Sequence, residues 1–144
     1  MHPTLREVTE ADYAWLYALK RETMRPYVEA MWGAWEDEFQ EDFFRKNFSP
    51  ETMRAIVVDR RDAGLLHVER GPEDIFLANI QLFPECQNRG IGTAVVRQLL
   101  AEARTRGVPV RLQVLKTNPG ARRLYERLGF TVFDENLSHW QMRV

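Results

Sequence analysis

The sequence has few of the features that mark secreted, membrane-bound or nucleic-acid-binding proteins. Its 144 residues contain a single cysteine, Cys86, so an internal disulfide is excluded. No apolar run is long enough to span a bilayer, and the segment MHPTLREVTEADY lacks a basic leader followed by an apolar core. The formal net charge is −1, which gives no basic excess for nucleic acid or an anionic membrane. These absences favour a cytoplasmic protein that binds neither nucleic acid nor membrane.

Internal repeats and low-complexity linkers are also missing. With 44% hydrophobic and 28% charged residues, the composition is that of an ordinary globular chain, and its length is sufficient for one sizeable core. We therefore expect a single domain over residues 1–144.

Periodicity and turn residues predict an alternation of strands and helices. The first helix begins at a capping sequence, Thr9 with Asp12, and should end at about Thr23 because Pro26 interrupts it. The polar turn RRDAG is predicted to join the second and third strands. The order βααβββαβαββ predicts an α+β sheet with helices on its faces. The predicted strands are Leu5–Val8, Met53–Asp59, Leu65–Arg70, Ile75–Phe83, Val110–Leu115, Phe130–Phe133 and Leu137–Arg143, and the predicted helices are Thr9–Thr23, Glu36–Asn47, Gly90–Arg106 and Asn118–Leu128.

The segment QNRGIGT, residues 87–93, joins a predicted strand to a predicted helix. It lacks the Lys-Ser/Thr ending of a nucleotide P-loop and the G-x-G-x-x-G spacing of a dinucleotide turn. A helix amino terminus has unpaired amides, Gly90 and Gly92 would let the backbone curl around an anion, and Arg89 adds positive charge. The pattern therefore indicates a pyrophosphate site, and the alternative is a tight turn with a structural role only.

A longer pattern surrounds this turn. The segment IQLFPECQNRGIGTAVVRQLL, followed by LQVLKTNPGARRLYERLGF, resembles the GNAT superfamily of acetyl-CoA-dependent N-acetyltransferases, and the resemblance is strongest from Ile75 to Phe130. It implies an α+β fold with a central mixed, mostly antiparallel sheet, a splayed fourth and fifth strand pair and flanking helices. It also implies acetyl-CoA as co-substrate, direct acetyl transfer to a primary amine in a ternary complex, and no requirement for a metal ion.

The resemblance assigns residues to the co-substrate. The backbone of three residues on the fourth strand would bond the pantetheine and acetyl groups, and a strand amide aimed at the thioester oxygen would stabilise the oxyanion. Asn118 would contact CoA, besides the simpler role of capping the last helix. The implied cofactor-binding residues are Ile80, Gln81, Leu82, Gln87, Asn88, Arg89, Gly90, Ile91, Gly92, Thr93 and Asn118.

Tyr125 is the general acid that the resemblance implies. It lies seven residues after Asn118, on nearly the same helix face, and a tyrosine with a pKa of about 10 keeps its proton at neutral pH. The alternative is a tyrosine packed in the core.

The general base is less clear from the sequence. An alkylammonium acceptor must lose a proton before it attacks, yet Gln113 stands at one family position for a carboxylate, and Asn79 and Gln81 are also uncharged. His139 is the first candidate because the unperturbed pKa of histidine, about 6.5, suits a general base. The alternatives are that His139 has a structural role, as a lone histidine on a strand more often does, and that ordered water acts as the base. The other candidates are Glu69, Glu36, Asp37 and Glu38.

The acceptor site is expected in the segment PYVEAMWGAWEDEFQED. Tyr27, Trp32 and Trp35 would supply aromatic walls and Gln40 an amide, beside an acidic group that would attract a cation. A primary amine, amino sugar, polyamine or peptide amino terminus would suit such a site. The alternative is that the aromatic residues form core and that the acidic residues stabilise a helix start.

Two other functional classes fit the sequence. One is a non-catalytic module that binds acyl-CoA, which the uncharged Gln113 favours. The other is an interaction protein that uses its aromatic amino-terminal region. The sequence does not decide between a monomer and a homodimer.

Overall fold

The computed structural model describes residues 2–144, which form one seven-stranded sheet and four α-helices. The sheet has the order β1-β2-β3-β4-β5-β7-β6, and its pairs are antiparallel except β4 with β5. This architecture confirms the predicted α+β fold. The strands are β1 (Thr4–Glu7), β2 (Met53–Val58), β3 (Arg61–Arg70), β4 (Ile75–Leu82), β5 (Val110–Leu115), β6 (Thr131–Glu135) and β7 (His139–Arg143), and the helices are α1 (Tyr13–Trp32), α2 (Asp37–Asn47), α3 (Ile91–Arg106) and α4 (Pro119–Arg127).

The parallel pair opens along its length, as expected. β4 and β5 are paired at three positions, from Ile75 with Val110 to Leu77 with Leu112. The register of β4 against β3 then shifts, which leaves Ala78 unpaired at a β-bulge. β5 pairs with β7 along its opposite edge, from Arg111 with Arg143 to Leu115 with His139. The second half of β4 therefore has a free edge on the side of β5.

Two cores lie on opposite faces of the sheet. One includes Ile75, Val95 and Phe130 and packs beneath α3 and α4. The other includes Leu16 and Leu65 and packs beneath α1 and α2. Because β4 contributes side chains toward both helix layers, its free half lies between them.

The first helix is longer than predicted, and its predicted end near Thr23 is wrong. α1 continues through Pro26 to Trp32 and buries Leu16, Leu19 and Val28. Pro26 is exposed, so its ring lies on the solvent side, and packing of the opposite side compensates for the hydrogen bond that proline cannot make. This extension brings the last turns of α1 to the cavity described below.

The third strand also begins earlier than predicted. The turn contains only Asp59 and Arg60, both in the left-handed region with φ of 52° and 65°, and Val58 pairs with Arg61 across it. This is the backbone of a two-residue hairpin turn. The segment RRDAG is therefore mostly strand, because the turn uses left-handed residues without the glycine that usually marks them.

Candidate active site

A cavity of about 440 Å³ lies beside the free half of β4. One wall is the end of β4, and a second is the turn that follows it together with the start of α3. The remaining walls come from α4 and from Thr23, Met24 and Tyr27 on α1. Both helix layers thus contribute to one site at the point where the sheet is splayed.

The turn at the start of α3 presents backbone donors to this cavity. Gly90 occupies the N-cap position with φ of +81°, and the first helical bond inside α3 runs from the Ala94 amide to the Gly90 carbonyl at 3.0 Å. The amides of Ile91, Gly92 and Thr93 precede that bond, and no side chain among residues 2–144 caps the N-terminus of α3. Free amides and the helix dipole favour an anion at this position.

A side-chain bond fixes the turn against the strand. Gln87 Nε2 donates to the carbonyl oxygen of Leu82 at 3.0 Å, which joins the residue before the turn to the last residue of β4. This bond connects the turn to the end of the strand whose edge is free.

Most of the residues assigned to the co-substrate lie together. All of them line the cavity except Arg89, whose side chain is exposed beside it. Those that line it are Ile80, Gln81, Leu82, Gln87, Asn88, Gly90, Ile91, Gly92, Thr93 and Asn118.

Asn118 and Tyr125 belong to the α4 wall. Asn118 Oδ1 accepts from the Ala121 amide at 3.2 Å, so the residue caps α4 while it lines the cavity. Tyr125 is buried against Phe130, with ring centroids 5.5 Å apart. Burial raises the pKa of Tyr125 to about 12, so the phenol remains protonated at neutral pH.

His139 lies outside the residues that line the cavity. Its Nδ1 is 2.7 Å from Ser138 Oγ, and its ring centroid is 6.3 Å from that of Trp32. Partial burial lowers its pKa, so the imidazole is neutral at physiological pH. His139 stays a predicted base.

The other candidate bases are also not among the residues that line the cavity. Asp37 accepts from Trp35 Nε1 at 3.0 Å and from the Tyr17 hydroxyl at 3.1 Å, and these bonds lower its pKa. Glu69 is exposed on β3. Asp37 thus has a structural use at the start of α2.

Of the four residues predicted for the acceptor, the structure brings only Tyr27 to the cavity. Trp35 is buried in the core beneath α1 and α2, which was the alternative for these aromatics. Trp32 is 61% exposed at the end of α1, and Gln40 is half-buried on α2. Neither lines the cavity.

The sequence reasoning missed several lining residues. Thr23 is the last residue of the predicted first helix, and Met24 lies in the part of α1 that was predicted to be interrupted. Extending the helical spacing of Leu16 through Thr23 to Tyr27, past Pro26, would have found this wall. The remaining missed residues are on α3 and α4, namely Val96, Gly120, Ala121, Leu124 and Arg127.

Two kinds of feature are absent from the part of the chain that the structure describes. Residues 2–144 contain no cluster of three or more His, Cys, Asp and Glu side chains placed to hold a metal ion. Among the same residues, none of the helices has the combination of length and apolar character needed to cross a bilayer.

Comparison with known proteins identifies the class. Residues 16–130 match the model of the Acetyltransferase (GNAT) family, and the chain belongs to this family. The resemblance drawn from the turn and the last helix is thereby confirmed.

Individual proteins of known name have limited sequence identity to this chain. Over 76 residues the chain is 36% identical to the [ribosomal protein bS18]-alanine N-acetyltransferase of Salmonella typhimurium (strain LT2), and this match spans about half of each protein, 52% of this chain and 51% of the relative. The crystal structure of PaiA N-acetyltransferase from Thermoplasma acidophilum in complex with coenzyme A has a TM-score of 0.78 at 19% identity, covering 99% of this chain and 98% of that one. The ribosomal-protein-S18-alanine N-acetyltransferase from Escherichia coli has a TM-score of 0.70 at 21% identity, with 99% and 92% covered. At these identities the solved structures establish the shared fold.

Proposed function

We propose that this protein transfers the acetyl group of acetyl-CoA to a primary amine by direct attack in a ternary complex. The observation that carries the proposal is the meeting of three features at one cavity. These are the open amino terminus of α3, the free edge of β4 and the buried side chain of Tyr125.

Each feature has a part in acyl transfer. The α3 amides from Ile91 to Thr93 would bind the pyrophosphate, and the β4 backbone from Ile80 to Leu82 would bond pantetheine and polarise the thioester carbonyl. Tyr125 would hydrogen-bond the departing sulfur.

The acceptor is proposed to be an amine of a small molecule or a peptide. Proteins similar to this chain include a [ribosomal protein bS18]-alanine N-acetyltransferase and the Naa50 of Arabidopsis thaliana, whose structure contains the bisubstrate analogue CoA-Ac-MVNAL. A cytoplasmic location, with no nucleic acid or membrane as partner, belongs to the same proposal.

The test is thiol release from acetyl-CoA across a panel of polyamines, amino sugars, amino acids and peptides. Calorimetric CoA binding is measured on the same preparation. Release that depends on the acceptor supports the transferase. Binding without release from any acceptor favours a non-catalytic CoA-binding module, and a failure to bind CoA defeats the assignment of the α3 turn.

A further inference from the structure

A buried amide in the cavity wall lacks the partner that its burial requires. The side chain of Gln81 is 6% exposed, and its Oε1 has no hydrogen-bond donor among the described residues. Its Nε2 makes one long contact, 3.5 Å to Asn79 Oδ1. Buried polar groups are normally paired, and an exception indicates a ligand or a functional use.

The side chain of Gln81 lies on the α1 face of β4. Gln81 is directly opposite Leu65, which belongs to the core beneath α1 and α2. Its neighbours Ile80 and Leu82 pack against the other core, beneath α3. The amide therefore lies on the face of β4 opposite to α3, and Met24 and Tyr27 of α1 line the same cavity.

Among residues 2–144, no Asp or Glu side chain lines the cavity next to Gln81. Its titratable or charged lining residues are Tyr27 on α1 and Tyr125 and Arg127 on α4. On β3, His67 lies opposite Asn79, and its Nε2 is 2.9 Å from Thr52 Oγ1. On α1, Lys20 precedes Thr23 by one turn and lies over the Phe43 ring at 4.9 Å.

The neighbouring ionisable groups do not change this conclusion. Burial lowers the pKa of Lys20 to about 8 and also lowers the pKa of His67. The Lys20 amine and the His67 imidazole therefore lose their proton at a lower pH than usual. Each is either a cation or neutral, and neither can serve as an anionic partner. An acceptor that enters this cavity as an ammonium ion would meet no negative partner in its wall.

We propose that Gln81 Oε1 accepts a hydrogen bond from the attacking nitrogen, and that the acceptor is an α-amino group rather than the ammonium of a lysine side chain or a polyamine. This inference rests on the proposed function and deepens it. The reason is protonation in solution. At pH 7.5 about a third of an α-amine with a pKa near 7.8 is neutral, against about one in a thousand for an alkylamine with a pKa of about 10.4.

The chemical step balances without a protein base. The neutral nitrogen attacks the thioester carbonyl carbon, a C–N bond forms, and the C–S bond breaks with its electron pair on sulfur. Tyr125 donates a hydrogen bond to that sulfur. The surplus proton on nitrogen passes to water, and the released thiolate equilibrates with solvent. Gln81 orients the nitrogen and takes no proton.

The first experiment compares acceptors that present different types of amine. Alanine amide and a short unblocked peptide present an α-amine, whereas Nα-acetyl-lysine amide and spermidine present alkylamines. We expect kcat/KM at pH 7.5 to favour the α-amines by about 100-fold or more, following their neutral fractions. With pH, kcat/KM should rise along the acceptor's own titration. The amino acid amide and the peptide distinguish a small molecule from a protein terminus as the source of the α-amine.

The second experiment changes Gln81. Gln81→Leu should lower kcat/KM for the α-amine about tenfold, mainly through the acceptor KM, with an unchanged Kd for CoA. Gln81→Glu supplies a carboxylate and should narrow the preference against alkylamines and move the acid limb of the pH profile to lower pH. Gln98→Leu, on the exposed face of α3, is the control and should match the parent protein.

The outcomes separate this inference from the proposed function. The inference would be overturned if alkylamines were turned over as well as or better than α-amines. It would also be overturned if the Gln81 variants bound CoA and kept the acceptor kinetics and pH profiles of the parent protein. In both cases the proposed acetyltransferase function would still stand. Absence of turnover with every amine would defeat the proposed function, and this inference with it.

Discussion

Tyr125 shows how the environment of one residue sets its chemistry. Burial raises its pKa to about 12, whereas a thiol such as that of CoA titrates near 8.5. The phenol therefore keeps its proton and can donate a hydrogen bond. It is, however, a weaker acid than the CoA thiol, so transfer of its proton to the thiolate is unfavourable. We therefore expect its main contribution to be a hydrogen bond to the developing thiolate.

The substitution Tyr125→Phe tests this role. A hydrogen bond to a charged group is worth about 1.5–3 kcal/mol, so we expect kcat to fall roughly 10- to 150-fold. The Kd for CoA should remain unchanged because the ring and its packing on Phe130 are retained. Steady-state thiol release with calorimetry measures both quantities. An unchanged kcat, where chemistry limits turnover, would assign the role to water or another residue.

Two glycines of the α3 turn are required for different reasons. Gly90 adopts a left-handed conformation, in which a side chain would be strained. At Gly92 the backbone is helical, and an added Cβ would meet only Leu82 Cδ1, at 3.8 Å. Gly90 therefore serves the turn, whereas the open space at Gly92 is where we propose that the pyrophosphate approaches the backbone.

Gly92→Val is accordingly a clean test of the phosphate site. The folded protein has room for the valine side chain at position 92. This side chain would, however, occupy the space through which the pyrophosphate would approach the backbone amide of residue 92. We expect CoA affinity to fall at least tenfold while the urea midpoint shifts little. A folded Gly92→Val protein with parent CoA affinity would contradict the assignment of the turn.

At the scale of elements, the amino terminus of α1 depends on one carboxylate. Asp12 accepts from Arg6 Nη2 at 2.8 Å, from the Thr9 amide at 3.0 Å and from Trp15 Nε1 at 2.7 Å. The Arg6 guanidinium in particular holds the pKa of Asp12 well below its usual range. These bonds join β1 to the short turn that begins the helix.

We expect Asp12→Asn to lower the free energy of unfolding by roughly 1–3 kcal/mol at pH 7. Because the native pKa of Asp12 is lowered, its contribution is present above the unfolded pKa of about 3.9 and is lost as pH falls below it. Urea unfolding at pH 7 and pH 3 measures the change. The destabilisation should shrink at pH 3.

Asp62→Asn is the matched control, since Asp62 binds the same Arg6 at 2.9 Å but is more exposed. Its loss should cost no more than about 1 kcal/mol. Equal effects of the two substitutions would show that the connection to Thr9 and Trp15 contributes nothing.

The differences between the predicted and observed elements have local causes. Proline usually ends a helix, but exposed Pro26 is accommodated because the opposite side of α1 is packed on the sheet. The turn at Asp59 and Arg60 contains no glycine, so its left-handed backbone left no signal in the sequence. The strongly patterned α3, by contrast, was predicted to within one residue, because its apolar stripe and its carboxyl-terminal Gly107 agree.

At the scale of the molecule, a single sheet lies between the two cores and contributes residues to both. β4 lies between them, and the cavity receives walls from helices on both faces. We therefore expect the chain to behave as one cooperative unit, as a single domain should.

Thermal unfolding with and without CoA tests this expectation. A single transition is expected without ligand, and CoA at 100 times its Kd should stabilise the protein by about 2.7 kcal/mol and raise Tm. Gly92→Val should unfold in the same single transition without the shift. Two separate transitions, only one of which responds to CoA, would contradict the single domain.

The sequence by itself determined the class of fold and predicted the residues that we propose for the co-substrate side of the site. Those residues are close together along the chain, in a strand, a turn and a helix amino terminus, so local patterns carry their signal, as at Gly90 and Gly92. The tertiary structure decided which residues of α1 reach the cavity, that Trp35 is core, and that Gln81 is buried without a partner. These facts depend on how α1 packs over β4, which is set by contacts between segments more than 40 residues apart in the sequence. Periodicity along one segment does not contain that information.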